Sequence, residues 1–232
     1  DVPPPDPTAQ NDGLDPTRPA RFAKLTFEHV DLLPPAGLPV VGDSANSFIF
    51  EFQQPLGSNS VKLKVPVSSV DVLGDSSYGL GDLSAKFTHV FGLTRTHGMV
   101  VNFELVADTA SRAELGGGKW VAKPGFIYAF FLKGGYILAP AAVHNLSFAG
   151  SDNRLDINQT VVDFYFVPKL RNPAFYMTLD PALTLDWENS KQFLTTALTV
   201  GYKLGPMLGG NGQLFVKPSF GVGADRVSDW GL

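Results

Sequence analysis

Residues 173–187 read PAFYMTLDPALTLDW and alternate strictly between two kinds of side chain. Every second residue from Phe175 to Trp187 is apolar, whereas the residues between them are small or polar and include Asp180 and Asp186. This period of two indicates a β-strand much longer than the roughly 5–6 residues of an average strand. An apolar face opposite a face with carboxylates is typical of a strand that crosses a membrane, where about 9–11 tilted residues suffice.

The segment at residues 158–170 shows the same alternation and precedes this strand directly. Its apolar positions are Val162, Phe164 and Phe166, and the positions between them include Gln159, Asp163 and Tyr165. Only residues 171–173 separate the two segments, so we expect them to pair as a hairpin.

Composition and charge are compatible with a membrane barrel. The chain has 232 residues and no cysteine, which excludes a disulfide scaffold and a thiolate metal site. Mean hydropathy is only +0.06, but a spanning barrel hides its lipid face in alternation. The net charge of −4 argues against general nucleic-acid binding. The sequence shows no signal peptide, so we expect either a cytoplasmic chain or the mature form of an outer-membrane protein, and we favour the second because spanning barrels belong in the outer membrane.

The remaining chain repeats the same unit between turns rich in glycine and proline. Alternating segments predict an all-β fold: a transmembrane, antiparallel, up-and-down barrel of about twelve strands over residues 21–232, with the last strand incomplete. The connections alternate in length, which is the outer-membrane pattern of short periplasmic turns and longer outer loops. Short connections are predicted at 55–58, 94–97, 134–135 and 171–173, and longer ones at 33–43, 71–81, 107–119 and 149–157.

Residues 1–20 form a separate region rich in Pro, Asp and Thr, with too little apolar content for a core element. Composition favours an extended, mobile tail. The alternative is that this tail folds into the barrel lumen as a partial plug.

Several short phrases carry a resemblance to a known family. They are GLGD at 79–82, ELGGGKW at 114–120, AGSDNR at 149–154 followed by NQT at 158–160, LDWE at 185–188 and DWGL at 229–232. Their order and spacing resemble the outer-membrane channel family related to the transporters of phenol meta-cleavage pathways in Gram-negative bacteria. The resemblance covers residues 79–232.

The resemblance implies a small barrel channel through which small hydrophobic or aromatic molecules cross the outer membrane. Members of the family continue past the DWGL phrase into one more strand. We therefore expect this sequence to lack the end of its closing strand, because an open sheet edge is not viable in lipid.

The candidate functional residues are the charged side chains that alternation turns toward the lumen. They brace the barrel by pairing across it, or a subset forms a constriction with ion preference. The best constriction candidates are the neighbouring pairs Asp163 with Asp180 and Lys86 with Glu104. The full inward-facing set is Lys24, Glu28, Glu51, Lys62, Lys64, Lys86, Glu104, Asp163, Asp180, Asp186, Lys191, Lys203 and Lys217.

Other residues receive structural roles. Arg154, Asn158 and Asp186 are expected to anchor loops through hydrogen bonds. A girdle at the membrane interfaces is predicted from aromatic residues, namely Trp120, Trp187, Tyr202 and Trp230. The four histidines, at positions 29, 89, 97 and 144, lack metal-ligand spacing, and His144 is placed beside Asn145 on the lumen side. No metal, cofactor or catalytic residue is predicted.

Two other functions remain open. One is a barrel enzyme acting on lipid, for which His144 with Ser147 is a weak candidate because no Gly-x-Ser-x-Gly motif occurs. The other is a lipid-binding barrel, for which eight strands would suffice. The favoured prediction is a monomeric channel in the bacterial outer membrane, in contact with membrane lipids and lipopolysaccharide, with a small-molecule substrate and no nucleic acid.

Overall fold

The computed structural model describes residues 13–33, 44–72, 75–207 and 210–232. The first twelve residues of the predicted tail and most of the predicted loop at 33–43 lie outside these ranges. Strands dominate the described chain, together with a short 3₁₀ helix at Ala113–Leu115. No helix in this part of the chain has the length and apolar character needed to cross a membrane.

Fourteen strand segments build the sheet, and all of their pairings are antiparallel. The segments are β1 (Phe22–Leu32), β2 (Ser44–Leu56), β3 (Asn59–Val72), β4 (Asp75–Leu80), β5 (Ser84–Phe91), β6 (His97–Val106), β7 (Lys119–Leu132), β8 (Tyr136–Gly150), β9 (Asn158–Val167), β10 (Phe175–Asp186), β11 (Lys191–Met207), β12 (Gly210–Val216), β13 (Ser219–Val222) and β14 (Ser228–Gly231).

These segments act as twelve strands of one closed ring, which confirms the predicted all-β, antiparallel, up-and-down barrel of about twelve strands. β4 and β5 both pair with β3, one along each half of it, so together they form a single interrupted strand. β12 and β13 pair with β11 in the same way. Neighbours in sequence are neighbours in the ring throughout, as in an up-and-down barrel.

The ring is closed by β14, which pairs with β1 on one side and β13 on the other. β14 has only four residues. Beyond it, within the described residues, no strand lies between residues 22–28 of β1 and Gly210–Val216 of β12. There the Lys24 ammonium lies 5.7 Å from the centre of the Phe215 ring. Along this seam these described parts of β1 and β12 are therefore not paired with another strand on the sides that face each other.

Alternation places apolar side chains on the outside of the ring and polar ones inside. On β3 the outward residues Val61, Leu63 and Val67 are 36, 50 and 46% exposed. Between them Lys62 and Lys64 point inward. A water-soluble barrel would bury its apolar face, so this inverted arrangement suits a lipid surface.

The two ends of the ring differ in their connections. We call the end at which β2 passes into β3 the turn end, and the opposite end the loop end. The loop end carries residues 107–118 and 151–157. The predicted long loop at 71–81 was wrong, because residues 75–80 form β4 and pair with the end of β3. The predicted short turn at 171–173 is longer, since β9 ends at Val167 and β10 begins at Phe175.

Candidate functional site

The lumen wall formed by β1, β2 and β3 is centred on Glu51. This residue lies opposite Lys24 on β1 and Lys64 on β3. Its carboxylate forms salt bridges with Lys24 and with Lys62, the latter at 2.9 Å. Glu51 is only 7% exposed, so two ammonium groups compensate one buried carboxylate.

A second row of charges continues around the ring from β3 to β7. Lys62, Lys86, Glu104 and Lys123 lie in direct cross-strand register. The Ser84 hydroxyl donates to Glu104 Oε1 at 2.6 Å. In this row three lysines accompany one glutamate. Together with the Glu51 cluster it makes this arc of the lumen, which we call the basic wall, rich in positive charge.

Lys123 was missed at the sequence level. Residues 120–133 alternate weakly because both faces are largely apolar, so no inward set could be assigned there. The register with Glu104 places Lys123 on the lumen side.

The opposite arc carries the carboxylates Asp163 on β9 and Asp180 on β10. One cation, Lys217, contacts Asp180 Oδ2 at 3.3 Å. Within the described residues the Oδ1 atoms of both aspartates are buried without a hydrogen-bond partner. Two carboxylates here share one lysine, and we call this arc the acidic wall.

A cavity of about 300 Å³ adjoins the acidic wall. Its lining combines carboxylates and hydroxyls with small apolar residues, among them Glu28, Thr195, Thr196, Ala182 and Ala197. Because β3 and β10 are separated by half of the twelve-strand ring, the two walls face each other across the lumen. The lumen therefore lies between a positive and a negative surface.

The remaining predicted lumen lysines lie nearer the ends of the barrel. Lys191 is exposed at the loop end, in register with Asp186. Lys203 lies in the half of β11 toward the turn end, opposite Gln213. Neither belongs to the two walls.

Asp186 holds the connection between β10 and β11. Its Oδ1 accepts the backbone N–H groups of Glu188 and Asn189, each at 3.1 Å. Its Oδ2 accepts the side-chain amides of Asn189 and Gln159. Asn158 contributes through its backbone, since its carbonyl accepts the Trp187 N–H at 2.8 Å.

The family-like phrases meet at the loop end. The Asp82 carboxylate accepts backbone N–H groups of Thr109, Ala110 and Gly117 at 2.7–3.0 Å. Arg154 donates to the carbonyl of Ala113. These bonds attach residues 107–118 to the rim of the barrel. The side chains of the family-like motifs therefore stabilise the loops at this end. The anchoring role of Asp82 was not predicted.

Lys119 and Asp156 form a further tie at this end, with Nζ 2.7 Å from Oδ1. The hydrogen bond from Lys119 holds the pKa of Asp156 below its ordinary value. Asp156 therefore stays ionised and joins residues 151–157 to the start of β7.

All four histidines lie on the outside of the barrel near its ends. His29 bonds Asn46 at 2.8 Å and His144 bonds Thr160 at 3.0 Å at the loop end. At the turn end His89 bonds Asn59 at 2.7 Å, and His97 stacks on the outward ring of Tyr128.

The predicted lumen position of His144 was wrong. Ser147, by contrast, points to the inner side and donates to Asp156, so the two do not pair.

The predicted girdle residues occupy both ends. Trp187 is 58% exposed at the loop end and donates from Nε1 to Thr160. Trp230 lies there too and contacts His29, while Trp120 lies at the loop end of β7. Tyr202 packs on Phe175 at the turn end, with ring centres 5.0 Å apart.

No protein-family model matches this chain, and no curated protein shows significant sequence similarity to it. The resemblance to the outer-membrane channel family therefore stays a prediction. Among the residues that the structure describes, no group of three or more His, Asp or Glu side chains could hold a metal ion.

Proposed function

We propose that this chain is an outer-membrane channel through which small molecules diffuse. The observation that carries the proposal is the inverted barrel: an apolar exterior encloses a lumen lined by charges of both signs. Charged side chains facing a lumen set the width and ion preference of a pore. An interior with an aqueous path is the simplest reason for so many ionised groups inside, because unpaired burial in a dry core is costly.

The spacing of the polar rims supports insertion in a membrane. On β3, Asn59 bonds His89 at the turn end, and Ser69 lies opposite Asn46, the partner of His29, at the loop end. Ten residues of strand rise about 33 Å, or about 25 Å along the membrane normal at a tilt near 40°. The outward side chains between these rims are apolar. This height matches the apolar band of outer-membrane barrels.

Small solutes suit the lumen better than large ones. The charged rows of both walls narrow the passage, and the adjoining cavity of about 300 Å³ is of the size that small organic ligands occupy. The family resemblance adds hydrophobic or aromatic molecules as the substrate class. Transport in this proposal is passive diffusion, with no cofactor and no chemical step.

Reconstitution in a planar bilayer tests the proposal. Folded protein should produce stepwise current increases, each step marking one inserted channel, while a sample unfolded by heating should produce none. Protein that is demonstrably folded and inserted but carries no current would contradict the channel. A liposome swelling assay with small aromatic solutes then compares substrate classes.

A further inference from the structure

The N-terminal residues 13–20 cross the turn end of the lumen. Gln53 on β2 donates from Nε2 to the Ala20 carbonyl at 2.9 Å. Thr17 packs against Gly98 on β6, and Tyr165 on β9 donates its hydroxyl to the Leu14 carbonyl at 3.1 Å. These three strands lie at positions two, five and eight of the twelve-strand ring. A segment can touch inward residues on all three only by passing through the interior.

The segment is held in a defined shape by its own bonds. The Arg18 N–H donates to the Asp15 carbonyl at 3.1 Å, which closes a turn with Pro16 in its second position. Aspartate first and proline second is the sequence preference of a type I turn. Asp15 Oδ1 also accepts the Thr17 N–H and hydroxyl. A turn that is preformed in this way can dock as one unit with little loss of conformational entropy.

A row of small residues receives this turn. Gly98 lies opposite Ala129 on β7, and Ala139 on β8 lies opposite Tyr165 on β9. Ala129 and Ala139 have no exposed surface, and Thr17 is only 3% exposed. A Cβ atom at position 98 would lie 2.8 Å from Thr17 Cγ2. The small row therefore forms a groove in the wall, and the docked turn packs into it.

From this geometry we propose that residues 13–20 form a gate that obstructs the turn end of the lumen when docked and opens it when they leave the groove. The inference rests on the proposed channel function. The contacts that dock the segment include the side-chain hydrogen bonds from Gln53 and Tyr165 and the packing of Thr17 on Gly98. Such a segment can undock without unfolding the barrel, because the strand pairings do not depend on it.

A disulfide staple tests the gate. The ideal Cβ position at Gly98 is 3.4 Å from Thr17 Cβ, close to the separation that a disulfide requires. The chain has no cysteine of its own, so Thr17→Cys combined with Gly98→Cys gives one defined crosslink. Loss of maleimide labelling shows that it has formed. The single variants Thr17→Cys and Gly98→Cys are the matched controls.

The oxidised double variant should remain at one low conductance level without transitions to a higher one. Adding a reducing agent to the same membrane should restore transitions to a higher level, and the single variants should not respond to it. Equal conductance and equal open fraction before and after reduction, with the crosslink verified, would overturn the gate and leave the channel intact. Absence of current in every folded, inserted variant would overturn both proposals.

A second variant tests the gate without a disulfide, so the test does not depend on the folding of the crosslinked protein. Tyr165→Phe removes the bond to Leu14 and should raise the ratio of open to closed time by roughly two- to tenfold, the range of one lost hydrogen bond. Tyr202→Phe, on the outer surface, is the control. An unchanged ratio in Tyr165→Phe would contradict the gate.

Discussion

The basic and acidic walls of the lumen differ in how their buried carboxylates are compensated by positive charge. At Glu51 two lysines surround one carboxylate, and both carboxylate oxygens are engaged. At Asp163 and Asp180 two carboxylates share Lys217, and each aspartate keeps a buried oxygen without a described partner. The first arrangement offsets desolvation with ion pairs, whereas the second leaves repulsion and unmet hydrogen-bonding capacity.

We interpret this difference as one between structural charges and charges that act in the proposed function. The Glu51 cluster joins β1, β2 and β3, so it stabilises the wall beside the seam between β1 and β12. Each aspartate keeps one buried carboxylate oxygen without a described partner, and in the proposed channel a passing cation can contact it. We interpret the Glu51 cluster as the brace, and the aspartates of the acidic wall together with the remaining lysines of the basic wall as the charges that act on the permeant of the proposed channel.

The largest expected effect is a loss of stability when the ion pairs of Glu51 are broken. Glu51→Gln removes the only carboxylate that the structure shows in ion pairs with Lys24 and Lys62, so both ammonium groups lose their counter-charge. Breaking a buried pair costs about 3–5 kcal/mol, and partial exposure of the lysines reduces this to roughly 2–3 kcal/mol. Unfolding in urea from lipid vesicles measures the change.

Glu28→Gln is the matched control for this variant. Glu28 points into the same lumen but is exposed, so its substitution should change the free energy of unfolding by less than about 0.5 kcal/mol. Equal losses in the free energy of unfolding of the two variants would contradict the bracing role of Glu51.

At the acidic wall we expect a smaller change in the free energy of unfolding, and one of opposite sign. At alkaline pH, where both carboxylates are ionised, Asp163→Asn removes one of two neighbouring like charges and adds an amide donor beside Asp180. The free energy of unfolding should rise by up to about 1 kcal/mol, because repulsion is relieved. The same urea titration measures it. A loss of more than about 1 kcal/mol would show that the Asp163 carboxylate stabilises the fold, which contradicts the contrast between the walls.

The fold could be predicted from the sequence because alternation is a local property. Phe175 to Trp187 alone show which side chains face out, and repeating that pattern led to twelve strands. The prediction for residues 75–80 failed because Asp75, Ser76 and Ser77 are all polar, so only Tyr78 and Leu80 mark an apolar face in this short strand. Pairing with β3 decides its structure, and that partner is not visible in the segment itself.

The site could be predicted only in part, because alternation gives the direction of a side chain and not its partner. Glu51 and Lys62 were both assigned to the lumen, but their ion pair depends on strand register. Lys123 was hidden in a segment that is apolar on both faces. The docking of Thr17 on Gly98 joins residues that are far apart in the chain, and no local pattern marks it.

The most direct test of the central claim is the reversal potential in a salt gradient across a planar bilayer. The double variant Asp163→Ala with Asp180→Ala should shift selectivity toward anions, whereas Lys86→Ala with Lys123→Ala, which leaves the Glu51 ion pairs intact, should shift it toward cations. Opposite shifts of the two variants relative to the unmodified protein are the predicted result. Identical reversal potentials in all three proteins, at comparable conductance, would contradict a lumen whose opposed walls act on permeating ions.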